Sequence, residues 1–569
     1  MNIKLVHLLS RRTTALVAMF LVVATATSSG LPAFAAEKDT KIKLVLQITI
    51  DQLRGDQPLI FRERFGEGGF KLLFDRGAYY ANAHYCHADT ETAPGHATLA
   101  TGTVPARHGI TNSEWYDYEK GRIVYSVEDQ NSPLVDQNSV STAGTTSSEK
   151  GRSPAHLLST TIGDEIVLAS FGKARSIAVS GKDRGAILPG GHCGKAFWLS
   201  NGKFVNSKYY NDALPVWVEE WNQKKVADTY RDKAWTLLRD KQSYLRKDID
   251  DRSFEGYYKH LGRTLPKPLA CKNDEDYYEA LLHTPVNDEL VLSFAEHAIA
   301  RLGLGLGEGT DYLSVSFSST DYVGHGWGIG SLEAEDNLLR VDRNLAELFS
   351  FIDRKVGLDK VLIVLSADHG VAEIAESMKG LSIDAQRIPS KEFRAYVNAR
   401  LKERFSTEHD LIKTFIYPYI YLDRKFIADG GIGAGIDVVQ DAAAEYAMQY
   451  QGVAYAVGRS RIARGELPAN TGYYARIVAN FHPERSGDVH VVPKQFVMFG
   501  KVKTNQPGEH GSVWSYDTYV PVAFFNVGVK PGFYRRSIGP QDIAPTIAAL
   551  LGIKSTSASS GEVLKEIAE

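Results

Sequence analysis

The sequence is short of the features that mark several classes of protein. It has only three cysteines in 569 residues, so at least one cannot form an intrachain disulfide, and the chain is not a disulfide-stapled scaffold. Beyond the leader at its start, no apolar run is long enough to cross a membrane, so we expect no membrane anchor. The formal net charge is only −3, which argues against nucleic-acid binding. What remains is an ordinary globular composition, on a chain long enough for one large core with insertions.

The first 36 residues have the pattern of a secretory signal peptide. A basic start, MNIKLVHLLSRR, precedes the apolar stretch TTALVAMFLVVATA, and Ala33-Phe34-Ala35 matches a cleavage site. We therefore expect residues 1–36 to be removed and the protein to be secreted or periplasmic. The pair Arg11-Arg12 leaves both the general and the twin-arginine export routes open. Loss of the leader, which also carries Lys4, would change the net charge from −3 to −6.

Buried strands that end in polar residues indicate the fold class. The run KIKLVLQITI is short, apolar and β-branched, and it ends at Asp51. Such a run is typical of a strand in a parallel sheet that is covered on both faces. We predict an α/β fold in which a central, mostly parallel sheet has helices on both faces and carries inserted cap subdomains. Sheets of this kind bind ligands at the carboxyl ends of their strands, where Asp51 would lie.

Two more predicted strands end in the same kind of residue. DYLSVSF is followed by a predicted loop, SSTDYVGH, and KVLIVLS is followed by ADHG. A later loop, GEHG, places one histidine between two glycines. Aspartate and histidine together are ligands that zinc or manganese takes, and a parallel sheet brings such strand ends to one edge. The candidate metal ligands are Asp51, Asp321, His325, Asp368, His369 and His510.

A threonine stands at a predicted helix start. In TETAPGHATLATG, Thr92 followed by Ala-Pro-Gly is typical of an N-cap, and Gly102 is typical of a helix end. A hydroxyl at an N-cap lies beside free backbone N–H groups and the positive end of the helix dipole. We therefore predict that an anion such as phosphate binds beside Thr92.

Two cations follow another predicted strand. In SGKDRGAILPGG, an extended segment would point Lys182 and Arg184 to the same side, because side chains alternate with period two. Two cations at a strand end could hold phosphoryl oxygens. The pair therefore supports the anion site predicted at Thr92.

Two stretches lack the alternation of strand and helix that the core shows. The first is rich in aromatic and charged residues, and the second has mixed strand and helix signals. We interpret both as insertions over the site. The predicted division is 1–36 signal peptide, 37–196 core, 197–285 aromatic-rich insertion, 286–375 core, 376–480 α+β insertion and 481–569 core.

Six motifs cover nearly the whole mature chain in one order. They are ITIDQLRGD, TETAPGHATLATGTVPARHGI, SGKDRGAILPGG, STDYVGHGWG, LSADHG and GEHG. In combination they resemble the alkaline phosphatase superfamily, and within it the bacterial secreted zinc phosphatases with a threonine nucleophile. Those enzymes are related to the type I phosphodiesterases and nucleotide pyrophosphatases.

The resemblance implies a site for two Zn²⁺ ions. Thr92 would attack phosphorus and form a phosphothreonine, while Lys182 and Arg184 match the pair that the monoesterase branch places on phosphoryl oxygens. By the same resemblance, one zinc would be held by Asp321, His325 and His510, and the other by Asp51, Asp368, His369 and the Thr92 oxygen.

One position departs from the family pattern. The family usually has an asparagine two residues before the aromatic of N-x-W-Y-D, where it contacts a phosphoryl oxygen. Here that position is Ser113, and Asn112 stands one residue earlier. Either a shifted loop lets Asn112 reach the phosphoryl group or Ser113 takes the role. We assign the phosphate contact to Asn112.

The main hypothesis is a secreted phosphomonoesterase that acts as a monomer on small phosphorylated substrates. A phosphodiesterase or nucleotide pyrophosphatase on the same metal site is the first alternative. Lys182 and Arg184 argue against it, because a monoester presents more charge than a diester. A sulfatase would need a modifiable Cys or Ser in place of Thr92. A non-catalytic metal- or phosphate-binding protein is the alternative of another class, but a binder has no use for Thr92.

Overall fold

We describe a computed structural model of the chain over residues 41–135, 151–256, 258–467, 472–500 and 506–568. The predicted signal peptide lies outside the described residues, as do residues 136–150. None of the helices in the described ranges combines the length and apolar character that crossing a bilayer would require. Cys86, Cys193 and Cys271 are all unpaired.

A nine-stranded mixed sheet forms the centre of the molecule. Its spatial order is β9-β2-β8-β7-β1-β6-β3-β4-β5 once the strands are numbered along the chain, and five of its eight neighbouring pairs are parallel. This confirms the predicted α/β class. The strands are β1 (Leu44–Ile50), β2 (Ala78–His84), β3 (Ser176–Ser180), β4 (Lys195–Ser200), β5 (Lys203–Val205), β6 (Asp311–Phe317), β7 (Val361–Ser366), β8 (Tyr519–Asn526) and β9 (Gly532–Tyr534).

The three central strands are apolar because both of their faces are covered. Every residue of β1, β6 and β7 is buried, so no polar face alternates with the apolar one. Strand β1 pairs in parallel with β6 on one side and with β7 on the other. Ile50 lies level with Phe317, and Thr49 lies level with Ser366. The three strands therefore end together at one edge of the sheet.

Helices follow or connect the strands. The longest, α6 (Leu332–Lys355), has a strongly one-sided apolar face. Its N-cap is Ser331, whose hydroxyl accepts a hydrogen bond from the Ala334 amide. The main helices around the sheet are α1 (Thr92–Thr101), α2 (Ile162–Ala169), α3 (Asp183–Gly190), α4 (Val286–Leu302), α5 (Ser319–Trp327), α6 (Leu332–Lys355) and α7 (Ile543–Leu551). Shorter or peripheral helices are Gln57–Ile60, Phe70–Arg76, Pro105–His108, Val216–Gln223, Asp274–Leu282, Ala375–Gly380, Arg424–Ala428, Arg459–Ala463, Tyr474–Asn480, Ser515–Thr518 and Lys565–Ala568.

The aromatic-rich segment begins later than the sequence indicates. The predicted boundary at 197 falls inside β4, and the main sheet continues through β5. The segment that follows packs Trp221, Trp235 and Tyr277 into the main hydrophobic core. It therefore extends the core, although it adds only the two-residue strands Ala234–Trp235 and Lys267–Pro268.

A second, smaller sheet lies in the predicted α+β segment. It is antiparallel, and it packs its own apolar cluster against the helices Ser390–Arg404 and Ile436–Gln449. The segment runs past the predicted end at 480, because its last sheet strand is Val489–Pro493. The four strands are Ile412–Ile416, Tyr419–Leu422, Val489–Pro493 and Val453–Gly458, in that spatial order. Two further pairs are Glu114–Asp117 with Arg122–Tyr125, and Gln386–Pro389 with Val497–Gly500.

Shortening a side chain in the central strand should destabilise the whole core. Leu46 lies in β1 and is fully buried, so Leu46→Ala leaves a cavity and should cost about 2–5 kcal/mol of unfolding free energy. Leu381 is 68% exposed, so the matched change Leu381→Ala should stay within about 0.5 kcal/mol of the wild type. Urea unfolding monitored by circular dichroism measures both. Equal losses in the two variants would contradict the assigned core.

Candidate active site

The level ends of β1, β6 and β7 gather the acidic residues. Asp51 directly follows β1, and Asp368 follows β7 after one intervening residue. Asp321 comes from α5, which begins two residues after β6. All three carboxylates are at least 98% buried. The edge of the sheet that the sequence predicts for the site is thus where the structure places these side chains.

Asp321, His325 and His510 form one group that could hold a metal ion. The sequence predicts a loop for this part, but Asp321 and His325 lie four residues apart on α5, so they share one face of a helix. The Nε2 atom of His325 is 3.2 Å from Oδ1 of Asp321, and that of His510 is 3.6 Å from the same oxygen. His510 comes from a loop, as predicted.

Asp51, Asp321 and His369 form a second group, which shares Asp321 with the first. Oδ1 of Asp51 lies 3.5 Å from Nε2 of His369. Asp368, which the resemblance places with Asp51 and His369, lies slightly aside. Its Oδ2 is 3.7 Å from Nε2 of His369 and 3.0 Å from Nδ1 of His96. The structure thus places five of the six predicted metal ligands in two groups that share Asp321, and it places Asp368 beside the second group.

The donor set of both groups fits divalent ions such as zinc. In each of the three histidines, Nδ1 lies within hydrogen-bond distance of a backbone carbonyl. A carbonyl only accepts, so Nδ1 carries the proton and Nε2 faces the carboxylates. Among the described residues, the buried Nε2 of His369 and Oδ1 of Asp51 have no hydrogen-bond partner. The Nδ1 contacts are His325 to Gly508 O at 2.7 Å, His369 to Gly370 O at 2.9 Å, and His510 to Thr90 O at 3.0 Å.

Thr92 lies at the amino end of α1, and two further residues of this helix, Gly95 and His96, contact Asp368. The structure makes it the first helical residue, with Glu91 as N-cap, whereas the sequence predicts Thr92 itself as N-cap. The predicted helix end at Gly102 is confirmed by its left-handed φ of 63°. A Cβ on Gly95 would lie 2.0 Å from the carbonyl oxygen of Asp368, so only glycine lets α1 approach this closely.

Lys182 reaches both carboxylates that the two groups depend on. Its Nζ is 2.7 Å from Oδ2 of Asp51 and 2.5 Å from Oδ2 of Asp321. Burial lowers the pKa of Lys182, but the charges of Asp321 and then Asp51 outweigh it, so the pKa lies above its ordinary value. Lys182 is extended, as predicted, and is the N-cap of α3.

Arg184 does not lie in an extended segment, because α3 begins at Asp183. Its Nη1 donates to the hydroxyl of Tyr125 at 3.1 Å. Its Nε has no hydrogen-bond partner among the described residues and is available to an anion. Burial raises the pKa of Tyr322 to about 12 while Lys182 and Arg184 lower it, so both cations act on one tyrosine.

Asn112 is held by backbone groups. Its Nδ2 donates to the carbonyl of Tyr417 at 2.8 Å, and its Oδ1 accepts from the amide of Glu114 at 3.0 Å. The amide of Ser113 donates to Oε2 of Glu91 at 3.2 Å. The assignment of a phosphate contact to Asn112 stays a prediction, and its amide is already engaged at both ends.

Two positioning residues escape the sequence reasoning. Gln52 has a left-handed φ of 66°, which lets its amide donate to Oδ1 of Asp368 and its Nε2 donate to Oδ1 of Asp321 at 2.6 Å. His96 contacts the carbonyl of Thr92 and Oδ2 of Asp368 with Nδ1. His96 could have been found from the sequence, because it lies four residues after Thr92 in a predicted helix. Nothing in the sequence indicates the left-handed backbone at Gln52.

Electrostatic coupling distinguishes the histidines. Burial lowers the pKa of His325 and of His369, but Asp321 and Asp368 respectively outweigh it and raise each to about 9. Burial lowers the pKa of His510 well below its usual value, and the other two histidines lower it further. Without a metal ion, His325 and His369 are therefore protonated at neutral pH, and His510 is not.

Metal binding should release protons in a pH-dependent way. His325 and His369 must lose their protons to bind a metal, so Zn²⁺ binding near pH 7 should release about two protons, falling towards none above pH 9. Calorimetry in two buffers of different ionisation enthalpy measures the number, and His325→Ala should reduce it by one.

The same shifts have a consequence for the metal-free fold. Both histidines have a raised pKa, so their stabilising contribution is full below about pH 6.5 and is lost as the pH rises through 9. If the number of protons released on Zn²⁺ binding does not change with pH, the raised pKa values assigned to His325 and His369 are contradicted.

The comparisons with known proteins agree with this geometry. The model of the type I phosphodiesterase/nucleotide pyrophosphatase family matches residues 45–514. Alkaline phosphatase PafA of Elizabethkingia meningoseptica is 34% identical over 538 residues, which is 92% of this chain and 94% of that protein. Alkaline phosphatase PhoV of Synechococcus elongatus is 34% identical over 535 residues, 92% of each. The crystal structure of wild-type PafA matches with a TM-score of 0.84 at 33% identity, over 93% of this chain and 99% of that one. The chain therefore belongs to the type I phosphodiesterase/nucleotide pyrophosphatase family of the alkaline phosphatase superfamily, and it is a hydrolase.

Proposed function

We propose that the protein is a secreted alkaline phosphatase that uses two Zn²⁺ ions and hydrolyses phosphate monoesters through a phosphothreonine on Thr92. It acts as a monomer on small phosphorylated substrates and binds neither nucleic acid nor membrane. The observation that carries the proposal is the pair of Asp/His groups that share Asp321 and contact the amino end of α1. Nδ1 of His510 lies 3.0 Å from the carbonyl oxygen of Thr90, and Oδ2 of Asp368 lies 3.0 Å from Nδ1 of His96. The names of PafA and PhoV support the same activity.

The chain's own residues supply the steps of the reaction. Thr92 Oγ1 attacks phosphorus, the bond from phosphorus to the ester oxygen breaks, and the alcohol leaves with a proton. Water then attacks the phosphothreonine, which releases phosphate and restores the hydroxyl. Zn²⁺ ions bound at the two groups would lower the pKa of the nucleophile and offset the charge on the oxygens. The first-turn amides of α1 add positive potential beside the phosphoryl group.

Lys182 and Arg184 favour a monoester over a diester. Lys182 is buried at the site, Arg184 is partly buried, and Arg184 offers an Nε without a partner among the described residues. A monoester carries a second negative charge on its non-bridging oxygens, so it gains more from two cations than a diester does. The family as a whole is described by diester and pyrophosphate chemistry, which keeps a phosphodiesterase or nucleotide pyrophosphatase as the alternative on the same site.

Removal of the nucleophile should separate an enzyme from a non-catalytic metal- or phosphate-binding protein. Thr92→Ala should lower kcat for a monoester by at least about 10³-fold, because no other group can form the covalent intermediate. The zinc content should not change, since the six Asp and His ligands remain. Thr92→Ser keeps a hydroxyl and is the matched control, which should retain part of the activity. Activity that survives in Thr92→Ala would contradict the role of Thr92.

Removal of the two cations should change the choice between ester classes. Lys182→Ala and Arg184→Ala should each lower kcat/KM for an aryl phosphate monoester by about 10²-fold or more and lower that for the matching diester much less. Lys173 pairs with Glu308 on the surface, so Lys173→Ala should leave both values unchanged. If the wild type prefers the diester, or if the ratio is the same in all variants, the diesterase alternative is correct.

A further inference from the structure

A cavity of about 140 Å³ is lined in part by His510. Three of its lining residues are acidic, Glu91, Glu509 and Asp517, and three are aromatic, Tyr417, Phe499 and Tyr516. Its volume exceeds that of a single water, whose share of the liquid is about 30 Å³. The proposed reaction gives this cavity no role.

The cavity lies next to the reacting groups. Glu91 directly precedes Thr92 in the chain, and His510 belongs both to the cavity wall and to the group formed around Asp321. A phosphate ester that reacts at Thr92 would therefore have this cavity within reach of its alcohol part. A cavity in this position can select a substrate by the alcohol that the reaction releases.

Two carboxylates of the cavity, Glu509 and Asp517, are at most partly paired within the described residues. Glu509 has no hydrogen bond or ion pair within the described ranges, and the cations nearest to it are engaged elsewhere. Asp517 is 1% exposed, and its Oδ1 has no hydrogen-bond partner among the described residues. Its Oδ2 accepts from the amide and hydroxyl of Ser512. The engaged cations are Arg387, paired with Glu376, and His325, paired with Asp321.

The aromatic rings favour an organic cation over a metal ion. Tyr417 and Phe499 both line the cavity, and their rings stack with centroids 5.6 Å apart and an angle of 27° between their planes. Such faces attract ammonium groups and bind quaternary ammonium ligands. In the described part of the chain, neither group of residues that could hold a metal includes a carboxylate of this cavity, although His510 belongs to one of the groups.

We propose that this cavity binds the alcohol part of the substrate and selects phosphate monoesters whose alcohol carries an ammonium group. The inference rests on the proposed phosphomonoesterase activity and narrows its substrate class. The phosphoryl group would lie at Thr92, and the ammonium group would lie among Glu91, Glu509 and the stacked rings.

The test compares phosphocholine with 3,3-dimethylbutyl phosphate, which has the same shape without the positive charge. On the zinc-loaded wild type, kcat/KM for phosphocholine should exceed that for the neutral ester by about tenfold. Glu509→Gln should reduce that preference to about threefold or less, because it removes one charge and keeps the side-chain size. Glu408 lies in the α+β segment and is fully exposed, so Glu408→Gln is the matched control and should keep the wild-type preference.

The outcomes separate this inference from the proposed function. Equal kcat/KM for the two esters in the wild type overturns the inference even if p-nitrophenyl phosphate is hydrolysed. A preference that Glu509→Gln leaves unchanged also overturns it. If no monoester is hydrolysed, the proposed function fails, and calorimetry with phosphocholine and its neutral analogue still decides the cavity. Tighter binding of phosphocholine then supports the subsite, and equal binding overturns it.

Discussion

The level register of three parallel strands is the constraint on which the site depends. β1 pairs residue by residue with β6 and β7, so the polar residues that follow these strands arrive at one edge. A shift of one residue in either pairing would turn the buried side chains of a strand to its other face and move its carboxylate away from the others. Six of the seven residues of β1, Leu44 to Thr49, pair with a residue in each neighbouring strand, and these backbone pairs hold that register.

The cost of that arrangement is electrostatic. Asp51, Asp321 and Asp368 are buried within reach of one another, and an uncompensated buried charge is strongly unfavourable. Burial and then Asp368 raise the pKa of Asp51, while the pKa of Asp321 is held well below its usual range by His325 and Lys182 despite burial. Cations at the edge of the sheet are therefore a condition for folding as well as for chemistry. The same negative potential explains why such a site attracts divalent ions.

Much of the site follows from sequence, because its residues come directly after strands with a clear apolar pattern. Asp51, Asp368 and His369 are placed by that rule, and His510 by its flanking glycines. The helix that carries Asp321 and His325 is missed, because its glycines and polar residues favour a loop, whereas tertiary packing against α6 and α4 makes it helical. The role of Gln52 depends on a left-handed backbone conformation that the residue type does not predict. Trp221 and Tyr277 of the first predicted insertion enter the main core, which the sequence around them does not indicate.

The sheet interleaves early and late parts of the chain. β2 lies between β8 and β9, which come from the last tenth of the sequence, and β8 also pairs with β7. Strand β2 thus has no partner until synthesis is almost complete, and contacts so distant in sequence make folding slow. His510 is contributed by the same late region. A chain that stops before His510 therefore lacks one ligand of the first metal group as well as the strand β8 that pairs with β2.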